Sequence, residues 1–133
     1  MRRQDWLGRL LEYVEEIRQS PYDPVKHNCA LFVNGAVQQM TDEAPAERMG
    51  LTVSSLRDVA EVLDRYGGVR GLCEAAFGAA LQPLLARRGD VVIKEGTEGE
   101  TLGVCMGQHA LFLGPDGLQP RKLSECLNCW RVE

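Results

Sequence analysis

Apolar positions at the start of the chain repeat at helical spacing. Trp6, Leu7, Leu10, Leu11, Val14 and Ile17 form one stripe, with Arg3, Arg9, Glu12, Glu16 and Arg18 largely off it. Residues 3–19 therefore predict an amphipathic helix, stopped before Pro21. Asn28 is a good N-cap for a second helix running to Met40, with Ala30, Phe32, Val33, Ala36 and Val37 available for burial. Its small residues, Ala30, Gly35 and Ala36, let other backbone come close. Residues 41–52 are rich in Asp, Glu, Pro and Ala and predict a loop. Ser54 or Ser55 caps a third helix on the stripe Leu56, Val59, Val62 and Leu63, which ends near Tyr66 at Gly67-Gly68. A short helix follows between Gly71 and Gly78, and Leu81 to Arg88 is an approach segment.

From Gly89 the period changes. Val91-Val92-Ile93 predicts a short buried strand, and Lys94 to Glu100 a polar turn. Thr101 to Met106 and His109 to Leu113 predict two further strands joined near Gly107. Pro115-Asp116-Gly117 is a turn signal. Leu118 to Leu123 and Trp130-Arg131-Val132 complete the pattern. Helices come first and a small antiparallel sheet last, so the fold class is α+β, in one domain spanning 1–133 with no internal repeat.

Composition changes this picture little. Apolar residues make up 44% and charged residues 26%, as in ordinary globular domains. A net charge of −4 argues against nucleic acid as the main partner, because phosphate binding wants a basic face. No apolar stretch reads as a signal peptide or a membrane span, so the expected place of synthesis and folding is the bacterial cytoplasm. The five cysteines are an odd number without a signal, which favours reduced thiols. Cys126 and Cys129 form a C-x-x-C pair, but only Cys73 and Cys105 could complete a metal site, and they stand singly and far apart. The expectation is no metal and no cofactor, with that pair as small residues near the last strand.

Cys29 carries the sharpest chemistry. It falls on the first turn of the helix that Asn28 caps, where backbone N–H groups and the helix dipole favour a thiolate. A thiolate hydrolase also needs a base and a group to orient it. The chain has two histidines, His27 and His109. His27 lies just before the helix and is expected to point elsewhere. Against this stands the plain alternative that a small cysteine on an apolar helix is core and a lone surface histidine has no role.

Pro21-Tyr22 upstream of Cys29, followed after the helical half by Arg88-Gly89-Asp90-Val91-Val92, resembles the NlpC-type cell-wall peptidases, the bacterial and phage branch of the papain-like fold. Over nearly its full length the chain resembles a small uncharacterised family encoded among tail genes of tailed phages and prophages. Asn28-Cys29-Ala30-Leu31-Phe32, Met40-Thr41, Leu102-Gly103-Val104, Asp116-Gly117-Leu118 and Cys129-Trp130-Arg131-Val132 carry that likeness. It implies a papain-like domain with N-terminal helices packed on a small C-terminal antiparallel sheet. Two positions depart from the pattern: Asn28 stands where Asp is common, and Val25 where Gly is usual.

The resemblance admits two alignments. In one, His109 opens the histidine strand, is base to the nucleophile Cys29, and is oriented by Gln119, with Tyr22 and the Cys29 N–H supporting an oxyanion. The reaction implied is hydrolysis of peptidoglycan peptide bonds during genome entry. In the other, Thr101-Leu102-Gly103-Val104 is that strand by glycine spacing. Thr101 then holds the base position, where it cannot take a proton near neutral pH. That alignment implies a catalytically degenerate assembly module of the tail tip. Either way the implied partners are other tail-tip or hub proteins, with cell-wall peptides as substrate in the first case, and the implied location is the virion.

Overall fold

Five helices and a five-stranded antiparallel sheet make up the computed structural model, which describes all 133 residues. The fold class is α+β, as the order of periodicities implied. Helix α1 spans Trp6–Ile17 and buries Leu10 and Val14. Helix α2 spans Cys29–Thr41 and buries Phe32, Val33, Ala36, Val37 and Met40. These two pack side by side. Tyr13 crosses α2 over Gly35, where a side chain would collide with the phenol, and its Oη donates to the Phe32 carbonyl at 3.0 Å. Burial pushes the Tyr13 phenol up to about 12.

The segment expected as a loop after α2 contains a single helical turn, α3, at Pro45–Arg48. Two local causes are visible. Pro45 presets the first-turn φ, and Asn34 on α2 accepts from the Ala46 N–H at 2.8 Å, so a distant side chain supplies the cap. Helix α4, Leu56–Tyr66, begins at Ser55, which accepts from the Asp58 N–H, and ends at Gly67 with φ +76. Helix α5 spans Val69–Phe77 and buries Cys73.

The strands are β1 Val91–Gly96, β2 Gly99–Cys105, β3 His109–Gly114, β4 Gly117–Lys122 and β5 Asn128–Trp130. Their order is β4-β3-β2-β1-β5. The polar stretch read as a turn from Lys94 to Glu100 is mostly ladder: Lys94 pairs with Thr101, Glu95 with Glu100 and Gly96 with Gly99. Only Thr97 and Glu98 turn. The outer end of this hairpin is exposed, so it needs no apolar residues to pair. The last strand lies two residues earlier than expected, because the Val132 N–H is taken by the Asp90 carboxylate rather than by a strand.

Alternate residues of the sheet enter two cores. Val91, Ile93, Leu102, Val104 and Trp130 pack with α1, α2 and Cys73. Val92, Cys105, Ala110, Phe112, Cys126 and Cys129 form a smaller core on the opposite face, closed by Leu81, Ala86 and Leu123. No helix is long and apolar enough to cross a membrane.

Candidate functional site

Cys29 is the first residue of α2, and the turn before it is firmly tied. Asn28 is extended at φ −111, ψ 175, accepts from the Leu31 N–H at 2.9 Å and donates to the Pro24 carbonyl at 3.0 Å. Asp23 and His27 exchange backbone hydrogen bonds of 2.9 and 3.0 Å. The Asp23 carboxylate accepts from the Lys26 and Val25 N–H groups, which hold it below the usual carboxylate range. The loop is anchored to the sheet where the Tyr22 N–H meets the Pro115 carbonyl at 3.4 Å, at the β3–β4 turn. Cys29 itself is half-buried against the main core. Cys73 on α5 lies in that core, and its thiol is pushed up to about 12, by burial first and then by its neighbour Cys29.

The residues named as its partners are not gathered there. His109 opens β3 at the opposite end of the molecule. The Met106 N–H bonds the His109 carbonyl, the Gly89 N–H bonds the Cys105 carbonyl, and a Cβ on Gly89 would sit 2.8 Å from Met40 Sδ. His109 therefore lies at the Met40 end of α2, about 16 Å of helix from Cys29. Strand β3 tells the same from the other side: Pro115, which anchors the Cys29 loop, follows Gly114, about 17 Å of strand from His109. The imidazole is exposed.

Strand alternation separates the others. Lys94 lies over the Phe112 ring, on the outer face, so its ladder partner Thr101 points to that face and away from α2. Gln119 pairs with Phe112 and shares the outer face, where its Oε1 accepts from Arg121. His109 alternates with Ala110 and so takes the other face, which leaves Gln119 unable to orient it. Tyr22 is 51% exposed. His27 is closest in sequence, and its Nε2 is buried without a hydrogen-bond partner.

The polar groups that do stand on the helix-facing side near the start of β2 had no motif to announce them. Glu100 shares a face with Leu102. Arg70 on α5 grips it with Nη2 at 2.8 Å and Nε at 3.2 Å, and sends Nη1 to Asn128 Oδ1 at 2.7 Å. The Glu100 carboxylate holds the Arg70 guanidinium above its ordinary value. Arg70 is one turn along α5 from Cys73, so this network borders the thiol pair.

At the Met40 end, Asp90 of the Gly-Asp motif is fully buried. Arg2 Nη2 donates to its Oδ1 at 2.9 Å, and the Val132 and Arg87 N–H groups donate to Oδ1 and Oδ2 at 3.1 and 2.9 Å. Arg131 Nε lies 3.2 Å from Oδ2. Arg2 also donates to the Val132 and Arg88 carbonyls at 2.8 Å and lies over the Trp6 ring. One carboxylate thus ties α1, the start of β1 and the segment after β5 together. Gly89-Asp90 stands out in the sequence as a motif, but its side-chain partners Arg2 and Arg131 lie at the two far ends of the chain and carry no local signal.

Residues 1–132 match the family described as a domain of unknown function, DUF6950. The chain belongs to this family. No curated protein matches it.

The remaining thiols of the DUF6950 domain are buried. Cys105, Cys126 and Cys129 meet in the outer core, and burial raises all three. Cys73 is across the sheet from them. No group of three or more His, Cys, Asp or Glu side chains is disposed to hold a metal ion.

Proposed function

We propose that this domain is a catalytically silent member of the papain-like, NlpC-type fold, acting as a structural or assembly module in the tail tip of a tailed phage and docking to other tail proteins there. The order of Pro21-Tyr22, Asn28-Cys29, the helical half and Gly89-Asp90 is what suggests the ancestry and the setting. The observation behind the silence is the distance between chemistries: Cys29 and His109 occupy opposite ends of α2. Without His109 in reach, Cys29 lacks the base assigned to it, and the leaving amine lacks its proton donor.

The peptidase reading keeps one point in its favour. Cys29 is the only thiol not fully buried, and it sits where a helix N-terminus would stabilise an oxyanion. One substitution separates the two readings. In a phage encoding this domain, Cys29→Ala is expected to leave particle assembly and infectivity unchanged, and the purified protein is expected to release no peptides from cell-wall sacculi. Cys29-dependent peptide release, or an infection defect in Cys29→Ala particles that assemble normally, would restore the enzyme.

A further inference from the structure

The Met40 end of the molecule carries a feature that the Cys29 question does not touch. Arg2, Arg87 and Arg131 line a surface cavity of about 360 Å³, together with Met1, Val132 and Glu133. Two of these guanidiniums, Arg2 and Arg131, pair with one buried carboxylate, Asp90, and Arg87 lines the same cavity, in a chain whose overall charge is −4. Asp90 pairs with Arg2 and Arg131 only. Arg2 spends all three nitrogens inside the protein, on Val132, Arg88 and Asp90. Arg131 binds the Leu85 carbonyl through Nη2 at 2.9 Å and keeps Nη1 free. Its Nε is buried beside Asp90 without the alignment of a hydrogen bond. Arg87 gives Asp90 only its backbone N–H, and its guanidinium pairs with no acid, Glu133 on the same cavity wall included.

The three cations also feel one another. Arg2 is held below its ordinary value by burial foremost, with the charges of Arg131 and Arg87 adding to the effect against the pull of Asp90. Like charges collected around a concavity, with donors left over after the internal bonds are made, are a site short of an anion. The leftover donors are planar guanidinium edges, which match tetrahedral and carboxylate oxygens two at a time.

We propose that the Arg2–Arg87–Arg131 cavity binds a small, multiply charged oxyanion, a phosphate or diphosphate group, with Arg87 and Arg131 Nη1 as the contacting donors. Asp90 holds Arg2 and Arg131 in place and ties the Arg87 backbone beside them, so the site is anchored by the same carboxylate that locks the fold. This holds whether or not Cys29 has any chemistry.

Inorganic diphosphate and phosphate are the probes, titrated into the full chain at fixed ionic strength with chloride as control. Diphosphate is expected to raise the thermal midpoint above the chloride control and to bind more tightly than phosphate, with affinity falling as salt rises. Arg87→Ala breaks no internal side-chain bond and should fold normally, yet bind diphosphate roughly tenfold more weakly. Arg87→Glu should abolish binding. No midpoint shift beyond chloride, or an equal response from folded Arg87→Ala, would overturn the site.

Discussion

At the Cys29 end of α2, a half-buried thiol sits on a well-capped helix start with His109 at the far end of that helix; at the Met40 end, a fully buried carboxylate has every neighbour a buried charge requires. The first looks catalytic in sequence and lacks its partners. The second reads as an ordinary strand start and anchors both ends of the chain. The difference lies in what burial demands. A buried charge must be paired or the fold fails, so Asp90 holds Arg2 and Arg131 in place. A thiol at a helix start can sit neutral in packing at little cost, so nothing in the fold requires that its chemistry be kept.

That contrast breaks most directly at Asp90. Asp90→Asn leaves Arg2 and Arg131 partly buried without a counter-ion, and it should lower the unfolding free energy by about 3–5 kcal/mol in urea titration. A loss under about 1 kcal/mol would make the clasp no more than a surface pair.

Alkaline titration tests the thiol end. The Cys73 thiol rises from 9.0 to about 12 in the folded protein, and the Tyr13 phenol from 10.0 to about 12. Both are neutral when folded and ionise sooner when unfolded. Their contribution is therefore fully present below pH 9 and drains away between pH 9 and about 12. Each group should steepen the loss by up to about 1.4 kcal/mol per pH unit in its window. Urea midpoints measured under reducing conditions should fall from pH 9 in the wild type. In Cys73→Val the fall should still begin near pH 9, because burial also raises Cys105, Cys126 and Cys129, but its slope above pH 9 should be shallower by up to about 1.4 kcal/mol per pH unit. An unchanged slope would mean that the buried thiol is not part of the core as described.

The smallest effect sharpens the picture of the helix start. Asn28→Ala removes the acceptor of the Leu31 N–H and should cost about 1 kcal/mol, read as a shift of the urea midpoint. Asn28→Asp keeps the cap, adds a charge favourable to the dipole, and should be neutral or stabilising by about 0.5 kcal/mol. A cost from Asn28→Asp equal to that from Asn28→Ala would show that the Asn28 Nδ2 bond to Pro24, not the cap, holds the loop.

Much of the architecture was legible because it is local. The stripe of α1, the Asn28 cap of α2 and the Gly67 stop of α4 each depend on residues within a turn or two. The turn at α3 was not legible, because its cap comes from Asn34 on another helix. The β1–β2 hairpin was read too short, because Lys94, Glu95 and Glu100 are polar where the ladder runs out into solvent. The candidate site was legible only at Cys29 and Asn28. Which neighbours reach it depends on strand register, and a shift of one residue exchanges Glu100 for Thr101 on the face toward α2.

The sequence by itself determined that helices precede a sheet, that a thiol opens the second helix, and that a buried strand follows Gly89-Asp90, since hydrophobic period and capping act over a few residues. Only the tertiary structure decided that His109 lies at the far end of α2 from Cys29, that Thr101 and Gln119 face away, and that Arg2 and Arg131 pair with Asp90 beside Arg87. Those outcomes depend on how α2 lies along β2 and on how the first and last residues meet, and contacts between distant parts of a chain leave no periodic trace along it.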